Sequence, residues 1–298
     1  MRAVQFSTYG GPDVLEMVDT EPPHAGPGEI VVEVISAGIN QIDAKIRSGA
    51  MASTRPTPLP AGTGVDAAGT VVETGEGITD VSPGDVVFGT GRNTLAERAV
   101  LTRWALVPEG VEAVEAGGWG VPVETASRLL AALGLDQGTL LVSGASGGVG
   151  TAVIQLAVAR GLRVIGTASE KNHAYLAELG AVPVAYGPGL SERVKGVAPG
   201  GVDGALDISG AGVIGDLIAI TADPSRVITI ADPTAESFGA RFSRGGARPG
   251  GPGAAFSEAL SLPRFTLPIE HTFPLEEAGD AHRRAEDGHT VGKLVVIP

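Results

Sequence analysis

The residues best suited to do chemistry lie near the middle of the chain. Leu140–Gly150 reads LLVSGASGGVG, and Gly144, Gly147 and Gly150 have the spacing G-x-x-G-x-x-G. A short apolar strand leads in and an apolar helix leads out. The tight turn after such a strand needs a residue that accepts positive φ, which glycine does without steric cost. A missing side chain at Gly147 or Gly148 lets the backbone approach a pyrophosphate, and Gly150 permits close packing of helix on strand. The free N–H groups and positive dipole end of the helix then face the phosphates. Ala145 and Val149 lie in the same turn and join the glycines as candidate cofactor contacts. The competing reading is a tight turn that only packs a helix. The strand–glycines–helix context favours the dinucleotide site.

The next strand ends in TASEKNH, Thr167–His173. A carboxylate there commonly binds the ribose 2′-hydroxyl of NAD. This chain has Ala168 and Ser169 instead, with Lys171 just beyond. A carboxylate would repel a 2′-phosphate, whereas a hydroxyl and an ammonium bind it through charge-assisted hydrogen bonds. Ser169 and Lys171 therefore predict NADPH, with Glu170 turned to solvent. The plainer alternative is that Ser169 caps the next helix and Lys171 is solvated.

These motifs need elements to position them. The first third reads as short strands, Arg2–Phe6, Leu15–Val18, Ile30–Ala37, Ala67–Thr74, Asp85–Gly89 and Ala96–Leu101, separated by turn signals such as Gly10–Asp13 and Ser82–Asp85. Strands this short and frequent predict a small antiparallel barrel. From Gly117 the texture changes. Helical text at Glu124–Leu135, Thr151–Arg160 and His173–Leu179 alternates with apolar strands at Leu140–Ser143, Arg163–Thr167, Val182–Ala185, Gly204–Ile208 and Val227–Ile230. That alternation predicts a doubly wound parallel sheet. After a loop at Gly245–Gly253 comes a helix, Ala254–Leu262, and a strand-like tail that ends KLVVIP.

Composition narrows the function classes. A chain of 298 residues, 43% hydrophobic, suits two domains with sizeable cores. A formal charge of −13 repels nucleic acid and anionic membranes on average. Arg241, Arg244 and Arg248 could form a local basic patch, but RFSRGGARPGGPG reads more simply as a flexible loop. There is no cysteine, which excludes disulfides, thiolate nucleophiles and cysteine-based zinc sites. The start lacks the apolar core of a signal peptide, and no apolar run is long enough to span a membrane. A cytoplasmic protein is expected.

Taken together, YGGPDVLE (Tyr9–Glu16), SAGINQIDAKIRSG (Ser36–Gly49), GVDAAGTVVETGEGI (Gly64–Ile78), PGDVVFG (Pro83–Gly89), SGASGGVG (Ser143–Gly150), GVDGALDISG (Gly201–Gly210) and GHTVGKLVV (Gly288–Val296) resemble one family over essentially the whole chain. It is the zinc-free, zeta-crystallin-like quinone oxidoreductase branch of the medium-chain dehydrogenase/reductase superfamily. The resemblance implies an α/β protein: a GroES-like β-barrel catalytic domain at 1–118, a Rossmann NADPH-binding domain at 119–264, and a C-terminal segment at 265–298 that rejoins the first. It implies a cleft for nicotinamide and substrate, and a homodimer. The function it implies is NADPH-dependent hydride transfer to a quinone or enone. An enoyl reductase on a pathway-specific intermediate and a non-catalytic NADPH-binding or sensing protein are the alternatives.

The same resemblance assigns roles by position. Asn40 becomes the candidate polar contact to the substrate, in a segment where metal-binding relatives carry ligands and this chain reads INQID. Asp43 recurs in the family pattern, with a structural hydrogen-bond acceptor as the alternative. Ser209, Gly210, Ile230 and Ala231 follow two late strands and line the nicotinamide crevice. Phe242 matches a position near the nicotinamide, or is ordinary packing. Tyr186 lies toward the adenosine end, or is a half-buried strand-end residue. Lys293 either approaches the cofactor or is a surface lysine. Departures from the family occur at Met51–Pro60, Val121–Ala126 and the loop-rich 232–253.

Overall fold

The computed structural model describes residues 1–245 and 253–298. They divide into two compact units. One comprises the described residues of Met1–Val121, Gly250–Phe256 and Leu267–Pro298, the other those of Pro122–Pro249 and Ser257–Thr266.

The first unit is built on β-branched strands. Ile30–Gly38 is buried along nearly its whole length, because it pairs on both sides. It runs antiparallel to Asp66–Thr74, which pairs Val86–Arg92, which pairs Arg98–Leu106, which returns to Ile30–Gly38. Those four strands close a small barrel, as the turn spacing predicts. Trp104, Val32, Leu101, Leu294 and Val296 fill its core. Each such side chain contributes about 1.5–3 kcal/mol when fully removed from water.

Both ends of the chain complete this unit. Lys293–Ile297 joins the same sheet between Ile30–Gly38 and Ile269–Pro274. Arg2–Phe6 forms a separate small sheet with Glu16–Asp19 and Ala61–Gly62. The tail is not all strand, however. Ala278–Glu286 is a helix with Ala278, Ala281 and His282 buried on one side. Only short apolar residues mark that face, so its helical period is weak in the sequence.

The second unit holds a parallel sheet of six strands. Their spatial order is Val182–Ala185, Arg163–Ala168, Thr139–Ser143, Gly204–Asp207, Val227–Thr229 and Arg241–Phe242. In chain order this is 3-2-1-4-5-6, the dinucleotide-binding arrangement, with its reversal between Thr139–Ser143 and Gly204–Asp207. Leu141, Ile165, Val184, Ala205 and Val227 make the buried strand faces. Helix Gly120–Leu133 begins earlier than its apolar text suggests, and Gly148–Ala159 starts inside the glycine motif. Helices Leu190–Val197 and Ile214–Thr221 complete crossovers that the strand pattern implies. The helix of 254–262 is shorter, Ser257–Leu260. No helix among the described residues is long and apolar enough to cross a membrane.

Candidate active site

In the second unit the glycine motif has the geometry its spacing requires. Gly144 follows the strand at φ +82°, where a side chain would be strained. Gly147 caps the helix. A Cβ there would meet nothing nearer than the Gly144 carbonyl oxygen at 3.8 Å, so the space beside it is open. A Cβ on Gly150 would lie 2.4 Å from that same oxygen, so this glycine serves close packing. The first intrahelical bond runs from Thr151 N–H to the Gly147 carbonyl, 2.9 Å. The N–H groups of Gly148, Val149 and Gly150 are then the unsatisfied donors of the first turn. A pyrophosphate fits this open, donor-lined cradle. Ala145 sits differently from the others. It is fully buried and its N–H already donates to Thr167, 3.1 Å, so it shapes the turn from behind.

The second strand ends at buried Ala168, and Ser169 follows as the cap of a short 3-10 helix. The Ser169 side chain makes no capping hydrogen bond, which removes the plainer role expected for it. Lys171 and Glu170 are exposed. No carboxylate competes for a 2′-phosphate at the strand end. Tyr186 is 58% exposed, so the half-buried alternative does not hold. Its loop is pinned by Arg193, which donates to the carbonyls of Ala185, Gly187 and Pro188.

Ser209 and Gly210 follow Gly204–Asp207, and Ile230 and Ala231 follow Val227–Thr229, both at the carboxyl edge of the sheet. Gly144 reaches this group, since a Cβ on it would approach Ser209 N to 3.1 Å. Phe242 is half-buried beneath the Arg244 guanidinium, 5.1 Å from its ring centroid. Arg244 also grips Glu236, and Arg241 donates to the Ala132 carbonyl. These two arginines are therefore engaged locally, while Arg248 lies outside the described residues.

In the first unit Asn40 is the N-cap of helix Gln41–Arg47. Its amide does not cap. The Nδ2 group donates to Asp66 Oδ2 at 2.9 Å and, more weakly, to the Gly38 carbonyl at 3.3 Å. Its Oδ1 accepts from Lys293 Nζ at 2.7 Å. Lys293 is 4% exposed, which corrects the surface reading of that residue. Its ammonium also donates to the Ile39 carbonyl and to Asp66 Oδ2. Asp66 Oδ1 in turn accepts the Val121 N–H, 2.6 Å. Asp43 accepts the Asn40 N–H at 2.8 Å, the structural role expected for it, and its second oxygen is buried without a partner.

Burial pushes Asp43 up to about 7 and Asp66 up to about 6, the latter opposed by the neighbouring Lys293 charge. Burial pulls Lys293 below its ordinary value. This buried Lys–Asp–Asn cluster is what sequence reasoning underrates. Its signal is faint but present: Gly38 and Gly118 leave a slot for the lysine stem, since a Cβ on either would come within 3.1 Å of it. The cluster does not suit a metal. The chain has no cysteine, and among the described residues no three His, Asp or Glu side chains are grouped to hold an ion.

A glycine-turned 3-2-1-4-5-6 sheet in one unit and, in the other, a small barrel whose unit is completed by both chain ends define a class of protein. The chain belongs to the medium-chain dehydrogenase/reductase superfamily: the alcohol dehydrogenase GroES-like domain family matches residues 26–126, and the zinc-binding dehydrogenase family matches 179–296. Within it, the chain is similar to named quinone and enone reductases. It is 35% identical over 180 residues to a quinone oxidoreductase of Rattus norvegicus, covering 58% of this chain and about half, 54%, of that protein's length. It is 28% identical to an NADPH-dependent alkenal/one oxidoreductase of Arabidopsis thaliana, over 100% of this chain and 80% of the relative. Among solved structures, a mycobacterial protein in complex with NADPH superposes with a TM-score of 0.85 at 28% identity, covering 100% of both chains. The quinone oxidoreductase of Coxiella burnetii superposes at 0.81 and 29% identity, covering 100% of this chain and 99% of that one.

Proposed function

We propose that this protein is an NADPH-dependent reductase that transfers hydride to a quinone or an α,β-unsaturated carbonyl compound without zinc. The observation that carries the reading is the cofactor face of the second unit. Three free helix N–H groups beside an open glycine turn suit a pyrophosphate. Ser169 and Lys171, at a strand end without a carboxylate, suit a 2′-phosphate.

Bound NADPH supplies the hydride from C4 of its nicotinamide. Negative charge then develops on the substrate carbonyl oxygen, and the chain must meet it with hydrogen-bond donors. Asn40 is the candidate donor. Its weaker bond, 3.3 Å to the Gly38 carbonyl, is the one an incoming oxygen can replace. Lys293 acting on Oδ1 polarises the amide and strengthens its N–H groups as donors. With no cysteine in the chain and no grouped ligands among the described residues, this donor set takes the place that zinc holds in metal-binding relatives. The homodimer rests on the family resemblance and is tested by sedimentation, and the cytoplasmic setting rests on the cysteine-free composition.

The test of function is NADPH oxidation, followed by loss of nicotinamide absorbance, against a panel of quinones and enones with NADH in parallel. Turnover with NADPH and weakness with NADH is the expected result. Binding without turnover on any acceptor would leave a binding protein, and equal use of NADH would remove the 2′-phosphate role of Ser169 and Lys171.

A further inference from the structure

The carboxyl edge of the parallel sheet contains a buried carboxylate that the reading above leaves without a task. Asp207 ends strand Gly204–Asp207 and is 1% exposed. Its Oδ1 accepts the Ser209 N–H at 3.2 Å, the Ser209 hydroxyl at 2.9 Å and the Gly210 N–H at 3.1 Å. Its Oδ2 accepts the hydroxyl of fully buried Thr229 at 2.8 Å. The Thr229 oxygen accepts in turn from Ala231 N–H, 3.0 Å, and Asp232 N–H, 3.1 Å.

The direction of every bond in this network follows from counting donors. A carboxylate only accepts, so both hydroxyls must donate to it. Ser209 has then spent its one proton on Asp207. Its oxygen accepts the Ala211 N–H at 3.2 Å, and the Ser143 hydroxyl, 2.9 Å away, must be the donor to it. Ser143 is the last residue of the strand that leads into the glycine turn. One carboxylate thus fixes the loops after two strands and is tied through Ser209 to the strand before the glycine turn. The Ser143–Ser209 contact falls where the strand order reverses, the place where open α/β sheets bind their ligands, and Thr229 lies one strand further on.

We infer that Asp207 is a positioning residue for the nicotinamide half of the cofactor: it holds Ser209–Gly210 directly and Ala231–Asp232 through Thr229. The inference rests on the NADPH reading above. An asparagine cannot replace it. Whichever way the amide turns, its NH2 faces either the three donors of the first loop or a Thr229 oxygen already occupied by two N–H groups. One loop is released in each case. Thr229→Val releases the second loop by another route and leaves Asp207 in place.

The experiment measures binding of NADPH and of 2′,5′-ADP, which lacks the nicotinamide half, to full-length wild type, Asp207→Asn, Thr229→Val, Thr229→Ser and the double variant Asp207→Asn/Thr229→Val. Losing a hydrogen bond to a charged group predicts NADPH affinity about tenfold weaker in each of the first two variants. The double variant should be no worse than about tenfold, because both changes cut one connection, whereas independent sites would multiply to about a hundredfold. Thr229→Ser restores wild-type binding, and 2′,5′-ADP binds all of them alike. Wild-type NADPH affinity in Thr229→Val would overturn the inference. So would equal loss of NADPH and 2′,5′-ADP, which describes a residue needed only for the fold. If wild type binds neither ligand, the NADPH reading itself falls and takes this inference with it. Should Asp207→Asn fail to fold, the valine and serine variants at Thr229 decide the matter alone.

Discussion

At the scale of single residues, the proposed cofactor preference rests on Ser169 and Lys171, two side chains that the fold does not otherwise need. Ser169 caps without using its hydroxyl, and Lys171 is exposed. Replacing either with alanine should leave the unfolding midpoint unchanged and raise the KM for NADPH about tenfold, the lower end for a charge-assisted bond near solvent. The KM for NADH should not move. Steady-state kinetics with both cofactors check this. Lys293 behaves in the opposite way, because it is buried among acceptors. Lys293→Met leaves Asp66 without its cation, and breaking a buried pair in this way costs about 3–5 kcal/mol. Adding Asp66→Asn should recover part of that loss, as read from urea midpoints of the single and double variants. Sequence pattern conveys where the first pair sits, since the strand end is legible. It conveys the second poorly, since a lone lysine in an apolar strand looks the same whether it faces water or a carboxylate.

At the scale of elements, the glycines of one turn have separable tasks. Gly147→Ala adds a methyl group where nothing lies nearer than 3.8 Å, so stability should hold while NADPH binding weakens as the cradle fills. Gly150→Ala forces a methyl to within 2.4 Å of the Gly144 oxygen. Overpacking of this kind costs about 1–3 kcal/mol, so this variant should lose stability as well as binding. Thermal unfolding beside NADPH titration separates the two. The open space at Gly147 and the close packing at Gly150 are readable from spacing, because a strand, a G-x-x-G-x-x-G turn and an apolar helix leave few alternatives. Several other elements were not readable in the same way. Helix Gln41–Arg47 is short and hides its start in Asn40, whose side chain is diverted to Asp66. Helix Ala278–Glu286 buries alanines and a histidine, a face with little apolar contrast. Asp207 reads as an ordinary acid at a strand end. Its task depends on Thr229, twenty-two residues away and brought alongside only by the pairing of two parallel strands.

At the scale of the whole molecule, the chain ends meet in one unit, and their packing sets its response to acid. His282, from the C-terminal stretch, is fully buried, with Nδ1 3.0 Å from Arg47 Nη1. Arg47 offers only donors, so Nδ1 accepts and the ring proton belongs on Nε2, which is buried without a partner. Burial and the Arg47 charge hold this imidazole down to about 3, against an ordinary 6.5. The unfolded chain therefore takes up a proton near 6.5 that the folded chain refuses until about 3. Stability from this residue is complete above 6.5 and is lost as pH falls through that window. Asp43 acts in the opposite sense. Its folded value is raised from 3.8 to about 7, so the folded chain binds the extra proton and gains stability as pH falls from 7 toward 4. The two contributions overlap near pH 5 with opposite signs. On moving from pH 8 to pH 5, His282→Gln should lose less stability than wild type, and Asp43→Asn should lose more. Urea unfolding at the two pH values decides it: shifts of the same sign in both variants would mean that the net charge of the chain, and not these two buried groups, governs its acid response.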